Sequence, residues 1–248
     1  MLKPILTAAA LGLTALPAAA FDLTNMTEEE RTALRGEIRE YLMENPQVIM
    51  DAVAVLEQQQ AAAQAMDEKA MVAANAKDIF DDGVSWVGGN PDGDVTLVEF
   101  TDYRCGYCRK AHSEVAELIE SDGNIRFIVK DFPILGEDSM TAARFAIAVK
   151  QTAGDAAYKK VHDALITHKG GIGKESLTRI GNAADINAEA ALAHMGSDDV
   201  TAVVAANHQL AQRLQISGTP TFVLDDQMVR GYVPLDGMRQ LVSEARAD

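Results

Sequence analysis

Cys105 and Cys108 are the only cysteines in the 248-residue chain, and they stand as Cys-Gly-Tyr-Cys. Thiols at that spacing can close a structural disulfide, hold a soft metal, or cycle between dithiol and disulfide. A bridge between residues three apart closes so short a loop that it removes little entropy from the unfolded chain. Structural zinc takes four ligands, and no second CxxC completes such a set. His112, four residues beyond Cys108, would supply a third ligand at most. A redox-active dithiol is the reading the spacing favours.

The flanking elements sharpen that chemistry. Residues 95–100, Val-Thr-Leu-Val-Glu-Phe, form an apolar, β-prone run that reads as a buried strand. Residues 101–104 leave the strand, and the cysteine pair opens an amphipathic helix with a stripe of Val115, Leu118 and Ile119. Unpaired N–H groups and the positive end of the macrodipole favour an anion at that helix start. Cys105 is therefore expected as an exposed thiolate with a depressed pKa, and Cys108 one turn inside as the resolving thiol. Gly106 and Tyr107, between them, set backbone freedom and supply a π-surface.

Residues 1–20 carry Lys3, an apolar run over 5–16 and Pro17-Ala18-Ala19-Ala20, the pattern of a cleaved secretory signal. Its core is too short to span a bilayer, so no membrane insertion is expected after cleavage. An exported protein would be expected to use structural disulfides, yet none can form here beyond the CxxC. The net charge of −15 and the absence of a basic run argue against nucleic acid and anionic membranes as partners.

Residues 21–82 read as an all-helical extension. Thr27-Glu28-Glu29-Glu30 fits a capping box, and Leu34, Ile38, Tyr41 and Leu42 follow on one face. Asn45-Pro46 closes that helix and opens another over 46–80, roughly 50 Å long. Val48, Ile49, Val53 and Leu56 stripe its early part, which then thins to a Gln/Ala-rich stalk. Such a segment is either a hairpin folded onto the catalytic domain or a self-association module.

Residues 83–248 read as the catalytic domain. A second buried strand over 125–132 gives strand–helix–strand order and hence a parallel pair. Helical periodicity follows over 139–151, 155–167, 174–183, 188–194 and 198–214. The Gly-rich 169–174 segment fails as a phosphate loop, because Glu175 stands where a hydroxyl would hold magnesium. Ser217-Gly218-Thr219-Pro220 leads into a hairpin over 221–232 and a last helix over 235–245. Pro220, just before a core strand, marks a tight functional turn.

This order resembles the thioredoxin fold, and the helical insertion, about 138–214, is similar to that of the DsbA branch. Val-Glu-Phe, Cys-x-x-Cys, Phe132-Pro133 and Gly218-Thr219-Pro220-Thr221-Phe222 carry the resemblance. The N-terminal helices resemble the extension of the ScsC (suppressor of copper sensitivity) group. The expected fold is α/β, a thioredoxin fold with a DsbA-like helical insertion, preceded by an all-helical N-terminal extension. The resemblance implies a cis-Pro220 against the dithiol and Thr219 presenting backbone to an extended substrate. It implies Glu99 as a buried acid relaying a proton to Cys108, with Lys130 as its charge partner. Cys-Gly-Tyr-Cys with Thr-Pro looks more like the DsbC-type isomerases than the DsbA-type oxidases. The function expected is a periplasmic protein-disulfide isomerase or reductase; the alternatives are a DsbA-like oxidase and a copper(I)-binding protein using Cys105 and Cys108. No cofactor is expected beyond the Cys105–Cys108 disulfide. Expected partners are cysteine-containing proteins, a membrane thiol reductase or oxidase, and copies of the chain itself through 21–80, with a trimer as the first size to test.

Overall fold

A computed structural model describes residues 25–247; the expected signal sequence over 1–20 lies outside them. The chain divides after Gln59 into two units.

In the first unit, helix α1 (Glu28–Glu44) starts at the expected capping box. Thr27 Oγ1 accepts from the Glu30 amide at 3.2 Å, and Glu30 Oε2 accepts from the Thr27 amide at 2.8 Å. Helix α2 (Gln47–Ala74) begins just beyond Asn45-Pro46 and runs on past the division of the chain. No residue of α1 is buried, and Ile38, Tyr41, Ile49, Val53 and Leu56 are all exposed.

The expected continuous helix to residue 80 is interrupted. Asn75 Nδ2 donates to the Met71 carbonyl at 2.8 Å, so the side chain competes with the backbone ladder. A short helix α3 (Ala76–Phe80) follows. From residue 60 onward this segment belongs to the second unit, where the reading by composition had drawn the boundary at 82/83. The physical reason is burial: Val72 and Ile79 are buried against the sheet.

The sheet comprises β1 (Trp86–Gly89), β2 (Val95–Thr101), β3 (Ile125–Asp131), β4 (Thr221–Leu224) and β5 (Gln227–Arg230), in the order β1-β3-β2-β4-β5. β2 and β3 are parallel, and the other pairings are antiparallel. β1 is an edge strand ahead of the first strand that the sequence marks. Its two glycines hide it from propensity, and pairing with β3 creates it. Helix α4 (Gly106–Asp122) connects β2 to β3 and ends at Gly123, whose φ of 72° suits only glycine well. Between β3 and β4 come α5 (Glu137–Ala153), α6 (Asp155–Thr167), α7 (Lys174–Ala183), α8 (Ala188–His194) and α9 (Asp198–Arg213); α10 (Leu235–Ala245) closes the chain.

Strand alternation separates two cores. Val95, Leu97, Phe127, Val129, Phe222 and Leu224 pack with α4 and the helical insertion. Val98, Phe100, Ile128 and Val223 pack on the other side with Val72, Ile79, Leu210 and Leu214.

Candidate active site

β2 aims the chain at the site, and the loop behind it is anchored by a buried carboxylate. Asp102 Oδ1 accepts from the Arg104 amide and the Ser139 hydroxyl, both at 2.7 Å. Its Oδ2 accepts from the Ile134 and Leu135 amides at 2.8 and 3.1 Å, tying the segment before the CxxC to the loop after β3.

Cys105 is the N-cap of α4. Its Sγ takes the Cys108 amide at 3.4 Å, so sulfur occupies the position where a capping oxygen usually sits. The same sulfur lies 3.2 Å from the Thr219 carbonyl, and the Thr219–Pro220 peptide is cis. That overlying loop leaves Cys105 only 6% accessible, more enclosed than the exposed thiolate expected from the helix start alone. Both thiols are free. A hydrogen bond from the Cys108 thiol does most to lower the Cys105 pKa, to about 5, with help from the Thr219 side chain and the Cys108 and Tyr107 amides against the cost of burial. Cys108 is pushed far up by that same bond, by burial and by the charge of Glu99. One thiol is thus primed as an anion and the other held protonated. As two soft donors the pair can also hold a soft cation.

Glu99 lies on the α4 side of β2, 3% exposed, and burial raises it to about 7 against a Thr101 hydrogen bond. Lys130 does not partner it. Glu99 faces Val129 across the parallel ladder and Phe100 faces Lys130, so the two side chains leave opposite faces of the sheet. Lys130 Nζ instead donates to Asp82 Oδ2 and the Asp78 carbonyl, both at 2.6 Å, beneath α3. The charges that add to the Glu99 shift are those of Cys105 and then of a second acid, Asp131. Asp131 is 4% exposed and raised to about 7 by burial, against hydrogen bonds from Tyr103 and Tyr158. The Tyr158 hydroxyl donates to its Oδ2 at 3.1 Å, while Oδ1 takes no hydrogen bond among the described residues. Tyr103 in turn meets His162 Nδ1 at 3.1 Å.

Tyr107 is 64% exposed beside the dithiol and stacks on Tyr232 at 6.2 Å. Lys110 lies 4.2 Å from the Tyr232 ring centroid, and the Tyr232 hydroxyl donates to Glu114 at 2.7 Å. His112 turns away from thiol ligation: its Nε2 lies 3.2 Å from Asp163. Sequence reasoning missed Asp102, Tyr103, Asp131, Tyr158 and His162. The polar Asp131 ending an apolar strand was the one visible signal among them.

The thioredoxin sequence profile matches residues 81–244, and that of the copper resistance protein ScsC N-terminal domain matches residues 30–63. The crystal structure of a thioredoxin-like oxidoreductase from Silicibacter pomeroyi DSS-3 is 39% identical, with a TM-score of 0.65 over 69% of this chain and 98% of that one. The thiol-disulfide exchange protein alpha-DsbA2 from Wolbachia pipientis is 29% identical, with a TM-score of 0.68 over 73% of this chain and 97% of that one. A curated relative, the Na(+)/H(+) antiporter NhaA 1 of Salinispora arenicola, is 28% identical over 162 residues, 65% of this chain; the match spans only 24% of the antiporter. Among the described residues no helix is long and apolar enough to cross a membrane. A capped thiolate, a buried partner thiol and a cis-proline loop, set in a sheet that both profile and structures match, make the chain a member of the thioredoxin family, in its DsbA- and ScsC-like branch.

Proposed function

We propose that the chain is an exported, periplasmic thiol-disulfide oxidoreductase working on protein substrates as a disulfide isomerase or reductase. The observation that carries this is the placement of the two thiols, Cys105 Sγ capping α4 beneath the cis Thr219–Pro220 loop and Cys108 buried one turn inside. The Cys105 thiolate attacks one sulfur of a substrate disulfide, forming a mixed disulfide and releasing the other sulfur as thiolate. In isomerisation a second substrate thiolate attacks the mixed disulfide and restores Cys105, with no net redox change. In reduction Cys108 gives its proton to Glu99 and attacks Cys105 Sγ, freeing the substrate thiolate. The Cys105–Cys108 disulfide that remains then needs a thiol reductase partner in the same compartment.

The Gly106-Tyr107 pair between the cysteines supports the isomerase and reductase direction. Strong oxidases of this kind hold their thiolate near a pKa of about 3.5. Cys105, lacking a histidine beside it in Gly106-Tyr107, is stabilised less. Exposed Ile38, Tyr41, Ile49, Val53 and Leu56 support self-association through the first unit, because apolar side chains at helical spacing gain most by covering one another.

Reactivation of a scrambled-disulfide protein tests the reading. The full chain is expected to reactivate it, and a chain starting at residue 60 to do so far less while keeping its thiol chemistry. A start near residue 82 would confuse the comparison, since it strips Val72 and Ile79 from under the sheet. If the full chain only oxidises reduced substrate, it is a DsbA-like oxidase instead.

A further inference from the structure

Away from the dithiol, two imidazoles and a carboxylate converge from two helices: His112 on α4, and His162 and Asp163 on α6. One ligand atom of each lies within 4.8 Å of the others. His112 Nε2 and Asp163 Oδ1 are already 3.2 Å apart. That separation is close to the roughly 3.3 Å edge of a tetrahedral site with bonds of about 2.0–2.1 Å. We propose that His112, His162 and Asp163 form a binding site for a borderline divalent cation such as zinc, with a fourth position open to water.

The surroundings prepare each ligand. His162 is 3% exposed, and its Nδ1 meets the Tyr103 hydroxyl at 3.1 Å. In the tautomer whose Nδ1–H donates to the Tyr103 hydroxyl, Nε2 keeps its lone pair for a cation. An outer partner of this kind fixes the tautomer and ring orientation of metal-binding histidines. Asp163 divides its oxygens: Oδ2 accepts from Lys159, while the enclosed Oδ1 faces His112 Nε2 at 3.2 Å and takes no other hydrogen bond among the described residues. The His112 and Asp163 side chains are partly exposed, so these two are the ligands free to shift the last ångström toward buried His162. Two nitrogens and one carboxylate suit zinc better than oxygen-seeking magnesium or calcium.

The test is zinc titration of the full chain with its CxxC oxidised, so that the thiols cannot bind. One Zn²⁺ per chain is expected, and His112→Ala and Asp163→Asn should each weaken binding by more than roughly tenfold. Lys159→Ala, which frees Asp163 Oδ2 and removes a nearby positive charge, should tighten it. A purely structural His–Asp–Lys ion pair would not produce that gain. His194→Ala, on a different helix, should leave the affinity unchanged. The proposal is overturned if the oxidised wild type binds no zinc, or if both ligand variants, shown folded by circular dichroism, bind as tightly as wild type.

Discussion

The two faces of the sheet bury charge in opposite ways. Under α4, Glu99 and Asp131 are buried with no cation, and both are raised to about 7. Under α3, Lys130 is fully buried but bonded to Asp82 and to a helix carbonyl, each at 2.6 Å. A buried charge with its counter-ion and hydrogen bonds in place is part of the framework. Buried acids without a counter-ion remain poised to exchange a proton, and they lie on the side of the dithiol. Burial alone therefore says little about role; the partner decides it.

Substitutions on the two faces should separate chemistry from stability. Cys105→Ser, on the α4 face, should abolish turnover of disulfide substrates with little change in unfolding free energy. Retained turnover would break the assignment of Cys105 as the attacking sulfur. On the opposite face, Lys130→Ala leaves Asp82 without its cation and should cost about 3 kcal/mol in urea unfolding. The alkylation pH profile of Cys105 should stay put in that variant; a moved profile would mean that the faces are coupled.

Glu99→Gln should slow the Cys108 step by roughly 100-fold, read as accumulation of mixed disulfide, while initial attack by Cys105 persists. Its stability effect has a definite sign. Glu99 is raised from 4.5 to about 7, so the folded protein holds a proton that the unfolded chain has already released. Glu99's own contribution to the stability of the reduced protein therefore falls as pH rises from about 4.5 to about 7 and then levels off, beside a like slope from Asp131 and an opposite one from His162, which burial lowers to about 3. Glu99→Gln should recover about 3 kcal/mol at pH 8. A profile that keeps the wild-type shape after Glu99→Gln would remove Glu99 from the proton path.

Much of the fold was legible because it rests on local rules. Thr27 and Glu30 announced α1, Asn45-Pro46 divided α1 from α2, and apolar spacing marked the insertion helices. The departures are tertiary. Asn75 interrupts a segment rich in helix formers, β1 exists only because β3 pairs with it, and residues 60–80 belong with the sheet despite their stalk-like composition. The dithiol itself was readable, since strand, turn and helix start are adjacent in sequence. Lys130 was misplaced because the residue opposite Glu99 depends on ladder register, which adjacency does not give.

The amino-acid sequence by itself determined that Cys105 caps a helix and that Cys108 follows one turn inside, because both consequences come from backbone geometry within a few residues. Tertiary structure decided how strongly each thiol is biased. Thr219 reaches Cys105 from 114 residues away. Glu99 and Asp131 become neighbours through parallel pairing, and Lys130 is turned to the other face by a single step of strand alternation. Electrostatics inside a protein depends on distance and burial, and both are set by packing between elements remote in the chain.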